Sequence, residues 1–326
     1  MGLINQIFNI ASHQEFEALA LQVFQIQHQQ NKVYRNFCDL LNVQPQAVKT
    51  IAQIPFLPIQ FFKSAEVISG AFSPEQVFLS SGTTGQNQSK HFVKDTSVYE
   101  RSFNLCFEQF YGPVKDYCFL ALLPSYLERE GSSLIYMMNH FIQQSNHPLS
   151  GFYLDEYETL IDHLNQLKQQ QQKTILMGVS FALLDLAEQH QLDFSNTIIM
   201  ETGGMKGRRK EMTRNELHEI YKQRFNVATV HSEYGMTELL SQAYSFGEGL
   251  YHPPNWMKVL IRDVNDPFTF LPVDKTGGVN IIDLANLHSC SFISTQDLGQ
   301  KKNEKTFEIL GRFDNSDLRG CNLLIH

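Results

Sequence analysis

Cysteine is scarce in this chain of 326 residues: five, at positions 38, 106, 118, 290 and 321, with no Cys-x-x-Cys spacing. An odd count without that spacing argues against a disulfide framework or a zinc site, and no His-Glu-x-x-His occurs. Cysteines of this kind read as small buried hydrophobes, with Cys321 set apart by its position near the C-terminus. A basic excess is also missing, since 26 Lys and Arg face 34 Asp and Glu, a net charge of −8. That balance argues against non-specific binding of nucleic acid while leaving room for a local basic pocket. Long apolar runs are absent too. The longest, about 175–187, is interrupted by Gly178, Ser180 and Asp185 and is too short to span a bilayer. The start, MGLINQIFNI, lacks the basic cluster and apolar stretch of a signal peptide, and Gln6 stands where a myristoylation signal needs Ser or Thr. A cytoplasmic protein without stable membrane insertion is expected.

What the chain does have is enough apolar material for a substantial core. Hydrophobic residues make up 42%, which excludes disorder as the main state. The length suits one large α/β domain or two units. Ser12 and Glu15 form a capping box before apolar residues at helical spacing, Phe16, Leu19, Ala20, Val23 and Phe24. Thr96 or Ser97 is the expected cap of a helix running to about Phe110. Strand and helix patterns then alternate: strands at 118–124, 174–180, 196–204 and 226–235, helices at 132–144, 181–190 and 215–225. Alternation of this kind predicts a mostly parallel sheet covered by helices. Past residue 250 only short strands remain, MKVLIRD, GGVNIID, CSFIST and TFEIL. The chain is therefore divided at 1–250, an α/β region, and 251–326, a smaller β-rich region.

Between two strand patterns lies Ser80-Ser81-Gly82-Thr83-Thr84-Gly85. Glycines admit close backbone approach, and hydroxyls with N–H groups make an anion-binding concavity. It is not a Walker loop, because Gln86 follows Gly85 and the next element is a strand. Three further motifs follow: Tyr234-Gly235-Met236-Thr237-Glu238, Thr295-Gln296-Asp297 and Gly311-Arg312-Phe313-Asp314. In this order the four resemble the adenylate-forming superfamily. The HSEYGMTELLSQAYS segment and the ending GRFDNSDLRGCNLLIH resemble more narrowly the acyl-protein synthetase (LuxE-type, long-chain-fatty-acid–protein ligase) family, over essentially the whole chain.

The resemblance implies the N-terminal-type fold of adenylate-forming enzymes, sheets flanked by helices, with a small β-rich region after it. It implies ATP, Mg²⁺, a fatty or other carboxylic acid, and an acyl-accepting partner protein, a reductase or carrier. A carboxylate would attack the α-phosphorus of ATP, giving an acyl-adenylate and pyrophosphate, and a thiol would then attack the acyl carbon and release AMP. Ser81, Thr83 and Thr84 would hold phosphates, with Gly82 and Gly85 shaping their loop. Gly203 and Gly204 would line the adenine pocket. Tyr234, followed by Gly235, would stack on adenine. Thr237 would contact the α-phosphate, Glu238 would ligate Mg²⁺, and Asp297 and Arg312 would bind the ribose. Cys321 would carry the acyl group. Two departures accompany this. The loop continues as Gln-Asn-Gln-Ser-Lys rather than Pro-Lys-Gly, so the role of Lys90 stays open. The mobile C-terminal domain of longer relatives, with its catalytic lysine, is expected to be absent.

Plainer readings stand beside these. Tyr234 can be a packed aromatic, Glu238 a carboxylate at a helix N-terminus, Asp297 a turn residue, and Arg208-Arg209-Lys210 a solvated face. A second class is a serine hydrolase or acyltransferase, since Gly178-Val179-Ser180-Phe181-Ala182 approaches the nucleophile-elbow pattern, with His231 as base. A third is a nucleotide- or acyl-binding protein without turnover.

Overall fold

The computed structural model describes residues 2–81, 88–124, 131–154, 156–203 and 212–313. Among these, the parallel strands Cys118–Leu122, Thr174–Val179, Thr197–Thr202 and His231–Tyr234 lie side by side in sequence order. The first two are buried along their whole length, as expected of strands covered on both faces. The strand His231–Tyr234 is shorter than expected: Asn226 ends the preceding helix Arg214–Phe225 in a left-handed conformation (φ 50°), and the strand begins only at His231. Asp95, rather than Thr96 or Ser97, caps the helix Thr96–Tyr111, its carboxylate accepting from the Ser97 amide. The capping box of Ser12 and Glu15 opens the helix His13–Gln30.

The strands past residue 250 do not stack on this layer. They extend it with antiparallel strands, giving, among the described residues, one mixed sheet of twelve strands, while Gln76–Leu79 and Lys90–Val93 form a separate two-stranded hairpin. The antiparallel half runs outward through Ala243–Ser245, Tyr251–His252, Phe307–Arg312, Phe292–Lys301, Gly277–Asp283 and Met257–Arg262. The N-terminal helices cover this half: Phe24 and Tyr34 pack on Phe292, and the buried Gln27 amide donates to the carbonyls of Asn286 and Leu287. Phe107, Phe119 and Phe141 close one side of the parallel half. No helix among the described residues is long and apolar enough to cross a membrane.

Candidate active site

Tyr234 ends a parallel strand, the position where open α/β sheets place their ligands. Its hydroxyl donates to Asp297 Oδ2 at 2.7 Å, and Arg312 Nε donates to Asp297 Oδ1 at 3.1 Å. Asp297 and Arg312 are direct partners across two antiparallel strands, so the ladder itself sets their contact. Asp297 is buried, whereas the Arg312 side chain is 78% exposed. The Tyr234 ring is packed against Tyr251 and Phe307 with interplanar angles of 57° and 77°, so neither lies flat on it. Burial, then the neighbouring Asp297 carboxylate, keeps its phenol protonated far above the ordinary range. Behind this group lies Arg262, which donates to the carbonyls of Val279 and Thr295 and to Asn280 Oδ1. Burial lowers its guanidinium to about 10, an effect the charge of Asp297 opposes.

Thr237 and Glu238 follow in a turn, not at a helix N-terminus. A Cβ at Gly235 before them would meet Glu233 Oε1, so a larger residue there would push that carboxyl aside. Glu238 is buried; burial raises its carboxyl, and the Ser89 hydroxyl together with the charges of Arg312 and Lys63 opposes that rise. A buried hard-oxygen donor paired with a hydroxyl fits Mg²⁺, which takes one or two carboxylates and fills its shell with water and phosphate oxygens. Among the described residues no group of three or more His, Cys, Asp or Glu is placed to hold a metal ion by itself. The Thr237 carbonyl accepts from His91 Nδ1 at 2.9 Å. Ser80 and Ser89 close the neck of the hairpin: the Ser80 amide donates to the Ser89 carbonyl, and the Ser89 amide donates to Ser80 Oγ. Ser81 beyond them is exposed, and Lys90 is an exposed residue of the hairpin.

Gly203 closes the strand Thr197–Thr202 with φ +70°. Its carbonyl lies 3.1 Å from Ser180 Oγ, which is also 3.2 Å from Glu201 Oε2. Glu201 is buried, with Oε1 accepting from Ser232 Oγ at 3.2 Å and Arg214 Nε at 3.3 Å. His218 Nε2 stands 3.1 Å from the same oxygen, a close contact without hydrogen-bond alignment. The serine-nucleophile reading fails on this geometry. Ser180 is 1% exposed and faces a carboxylate and a carbonyl, while His231 contacts Tyr111 Oη at 3.0 Å. Burial also lowers His231 to about 4. Of the cysteines, 38, 106, 118 and 290 are buried, and burial raises every one of these thiols, Cys118 to about 11 and Cys38 to about 12.

The structure thus brings Tyr234, Asp297 and Arg312 into one cluster, with Glu238 in electrostatic reach of Arg312. Gly82, Thr83, Thr84, Gly85, Gly204, Arg208-Arg209-Lys210 and Cys321 lie outside the described residues. Sequence reasoning missed His91, Arg262 and the Glu201–His218–Arg214 group. Arg262 alone left a trace, as a charge closing the apolar run MKVLI.

Residues 10–326 match the family described as acyl-protein synthetase, LuxE. No curated protein matches the chain. Among solved structures, an open conformation of 2-hydroxyisobutyryl-CoA ligase, in complex with 2-HIB-AMP and CoA, is similar at a TM-score of 0.68. The identity is 12%, covering 93% of this chain and 76% of that one. ATP-bound MatB from Rhodopseudomonas palustris is similar at 0.54, with 16% identity over 72% of this chain and 47% of MatB. O-succinylbenzoate coenzyme A synthetase from Bacillus subtilis, in complex with ATP and magnesium, is similar at 0.50 with 18% identity. That match covers 72% of this chain and 49% of the synthetase, so the chain spans about half the length of these two relatives. The chain belongs to the LuxE family of acyl-protein synthetases, on a fold that resembles the N-terminal domain of adenylate-forming coenzyme A ligases.

Proposed function

We propose that this chain uses ATP to activate a fatty or other carboxylic acid as its acyl-adenylate and passes the acyl group to a protein thiol. The observation that carries the reading is the Tyr234–Asp297–Arg312 cluster, with Tyr234 and Arg312 ending their strands and Asp297 facing them from the middle of its own. A carboxylate has about four lone-pair sites. Tyr234 and Arg312 occupy two at Asp297, which leaves acceptors for the vicinal hydroxyls of a ribose. Arg312 is exposed enough to reach the same sugar. The adenine would lie against Tyr234 and the backbone of Gly203 and Gly204. Ser81, Thr83 and Thr84, in the loop shaped by Gly82 and Gly85, would hold phosphates, and Thr237 would contact the α-phosphate. Glu238 would hold Mg²⁺, which when bound neutralises phosphate charge. Phosphoryl transfer of this kind needs positioning and charge stabilisation more than covalent help from the protein.

In the second half-reaction a thiolate attacks the acyl carbon, forming a thioester and releasing AMP. Cys321 is the proposed carrier. The other four cysteines are buried with raised thiols, which makes them poor nucleophiles. From Cys321 the acyl group would pass to a partner reductase or carrier.

The test is carboxylate-dependent exchange of labelled pyrophosphate into ATP across a panel of acids. The proposal expects exchange with at least one acid. A serine enzyme or a binder without turnover gives none. With labelled fatty acid and ATP, wild type should hold a hydroxylamine-labile label, and Cys321→Ser should keep exchange but lose the label.

A further inference from the structure

Among the described residues, the hairpin Gln76–Leu79 and Lys90–Val93 pairs with no strand of the large sheet. Its backbone is tied to the segment before the helix Ser133–Ser145 by the Leu79 amide donating to the Gly131 carbonyl at 2.7 Å, and side chains link it to the Thr237–Glu238 turn. One of these is His91, 1% exposed, with Phe62 edge-on to its ring at 5.8 Å. Both ring nitrogens are committed. Nδ1 lies 2.9 Å from the Thr237 carbonyl and Nε2 lies 3.0 Å from Ser289 Oγ. A carbonyl can only accept, so Nδ1 carries the proton, and in the neutral ring Nε2 then accepts from the serine. Burial keeps the ring neutral at physiological pH, lowering it to about 4. Ser289 is itself fixed, its carbonyl accepting from the Asn31 amide at 2.9 Å.

We propose that His91 is a positioning residue for adenylation: through Nδ1–H it holds the backbone of Thr237, and with it the Thr237–Glu238 turn, in register with the hairpin. The proposal rests on the adenylation reading above. Its chemistry is that of a rigid two-ended strut. Packing alone would be served by any ring of similar size. The strut needs a donor at one specified place.

Asparagine and glutamine separate the two ends. The Asn side-chain amide sits near the position of Nδ1 and can donate to Thr237, whereas Gln reaches the position of Nε2 and serves only Ser289. Pyrophosphate exchange and melting temperature should be measured for His91→Asn, His91→Gln and His91→Ala. His91→Asn should retain most of the wild-type kcat. The other two should lose on the order of tenfold to a hundredfold in kcat, the scale of a misplacement of about 1 Å, with the KM for the acid unchanged. Equal activity in the Asn and Ala variants, or full activity in the Gln variant, would overturn the proposal. So would losses in all three that simply follow the melting temperature. If wild type exchanges with no acid, the adenylation reading itself has failed. Amide hydrogen exchange at Leu239 and Leu240 then decides the strut: protection should persist in the Asn variant and drop in the Gln variant, and the reverse pattern refutes it.

Discussion

Two buried glutamates on adjacent strands, Glu201 and Glu233, behave in opposite ways. Glu201 pairs in register with Ser232 and Glu233 with Thr202, so the two carboxyls stand on opposite faces of the sheet. Their exposures are nearly equal, 5% and 6%. Burial alone would raise both. At Glu201 that rise is overcome by the His218 imidazole, the Arg214 guanidinium and the Ser232 hydroxyl, which hold the carboxyl below its ordinary value. At Glu233 burial dominates, opposed by the Thr202 hydroxyl alone, and the carboxyl rises to about 7. Partners, not depth, decide whether a buried carboxyl stays charged.

The same substitution at the two sites should therefore have opposite signs. The largest effect is expected at Glu201. Glu201→Gln removes the charge that Arg214 and His218 face, and breaking a buried pair from one side costs about 4 kcal/mol. Because the folded-state carboxyl is held low, this stability is present above the ordinary carboxylate value and is lost as pH falls through the folded one. Urea denaturation should show the deficit in full at pH 8 and a smaller one in acid. A deficit that does not change with pH would mean that packing, not charge, holds this cluster together.

Glu233→Gln should act in the other direction. The unfolded carboxyl ionises near 4.5 and the folded one near 7, so wild type loses stability as pH rises between those values. A displacement of that size corresponds to roughly 3 kcal/mol. The Gln variant keeps an acceptor for Thr202 and has nothing to ionise. It should match wild type near pH 4 and exceed it at pH 8. A variant less stable than wild type at pH 8 would show that the carboxylate has a cationic partner and would end the contrast.

Little of this contrast was legible in the sequence. METGG and HSEYG each read as a strand ending in a turn, with one glutamate apiece. Nothing local says that one glutamate meets an imidazole from the next helix and the other a threonine. The elements themselves were far more legible, because they rest on local periodicity. GGVNIID is the strand Gly277–Asp283 with both ends as read, and the helix expected at 215–225 begins one residue earlier. That the late strands extend the parallel sheet was not legible, since strand pairing between remote segments leaves no mark in either segment. At the candidate site, motif order named Tyr234, Asp297 and Arg312. The hydrogen bond joining Tyr234 to Asp297 spans 63 residues and needed coordinates. His91 is a lone imidazole in a short strand, and no pattern there points to Thr237, 146 positions away.

The smallest expected effect concerns two tyrosines, one on each glutamate's side of the sheet. Tyr221, beside His218, donates from its hydroxyl to the Ser180 carbonyl at 2.7 Å. Tyr244, paired in register with Glu233, has a buried hydroxyl with no hydrogen-bond partner among the described residues. Both rings are fully packed, at 0% and 1% exposure, so exchange for phenylalanine changes one oxygen and little else. Tyr221→Phe gives up a made hydrogen bond and should cost about 1 kcal/mol. Tyr244→Phe removes a buried oxygen that has nothing to bond, so it should be neutral or stabilising. Paired denaturation curves at one pH measure the difference directly. If Tyr244→Phe costs as much as Tyr221→Phe, the Glu233 side holds a partner for that hydroxyl, and the two faces differ less than their described contacts indicate.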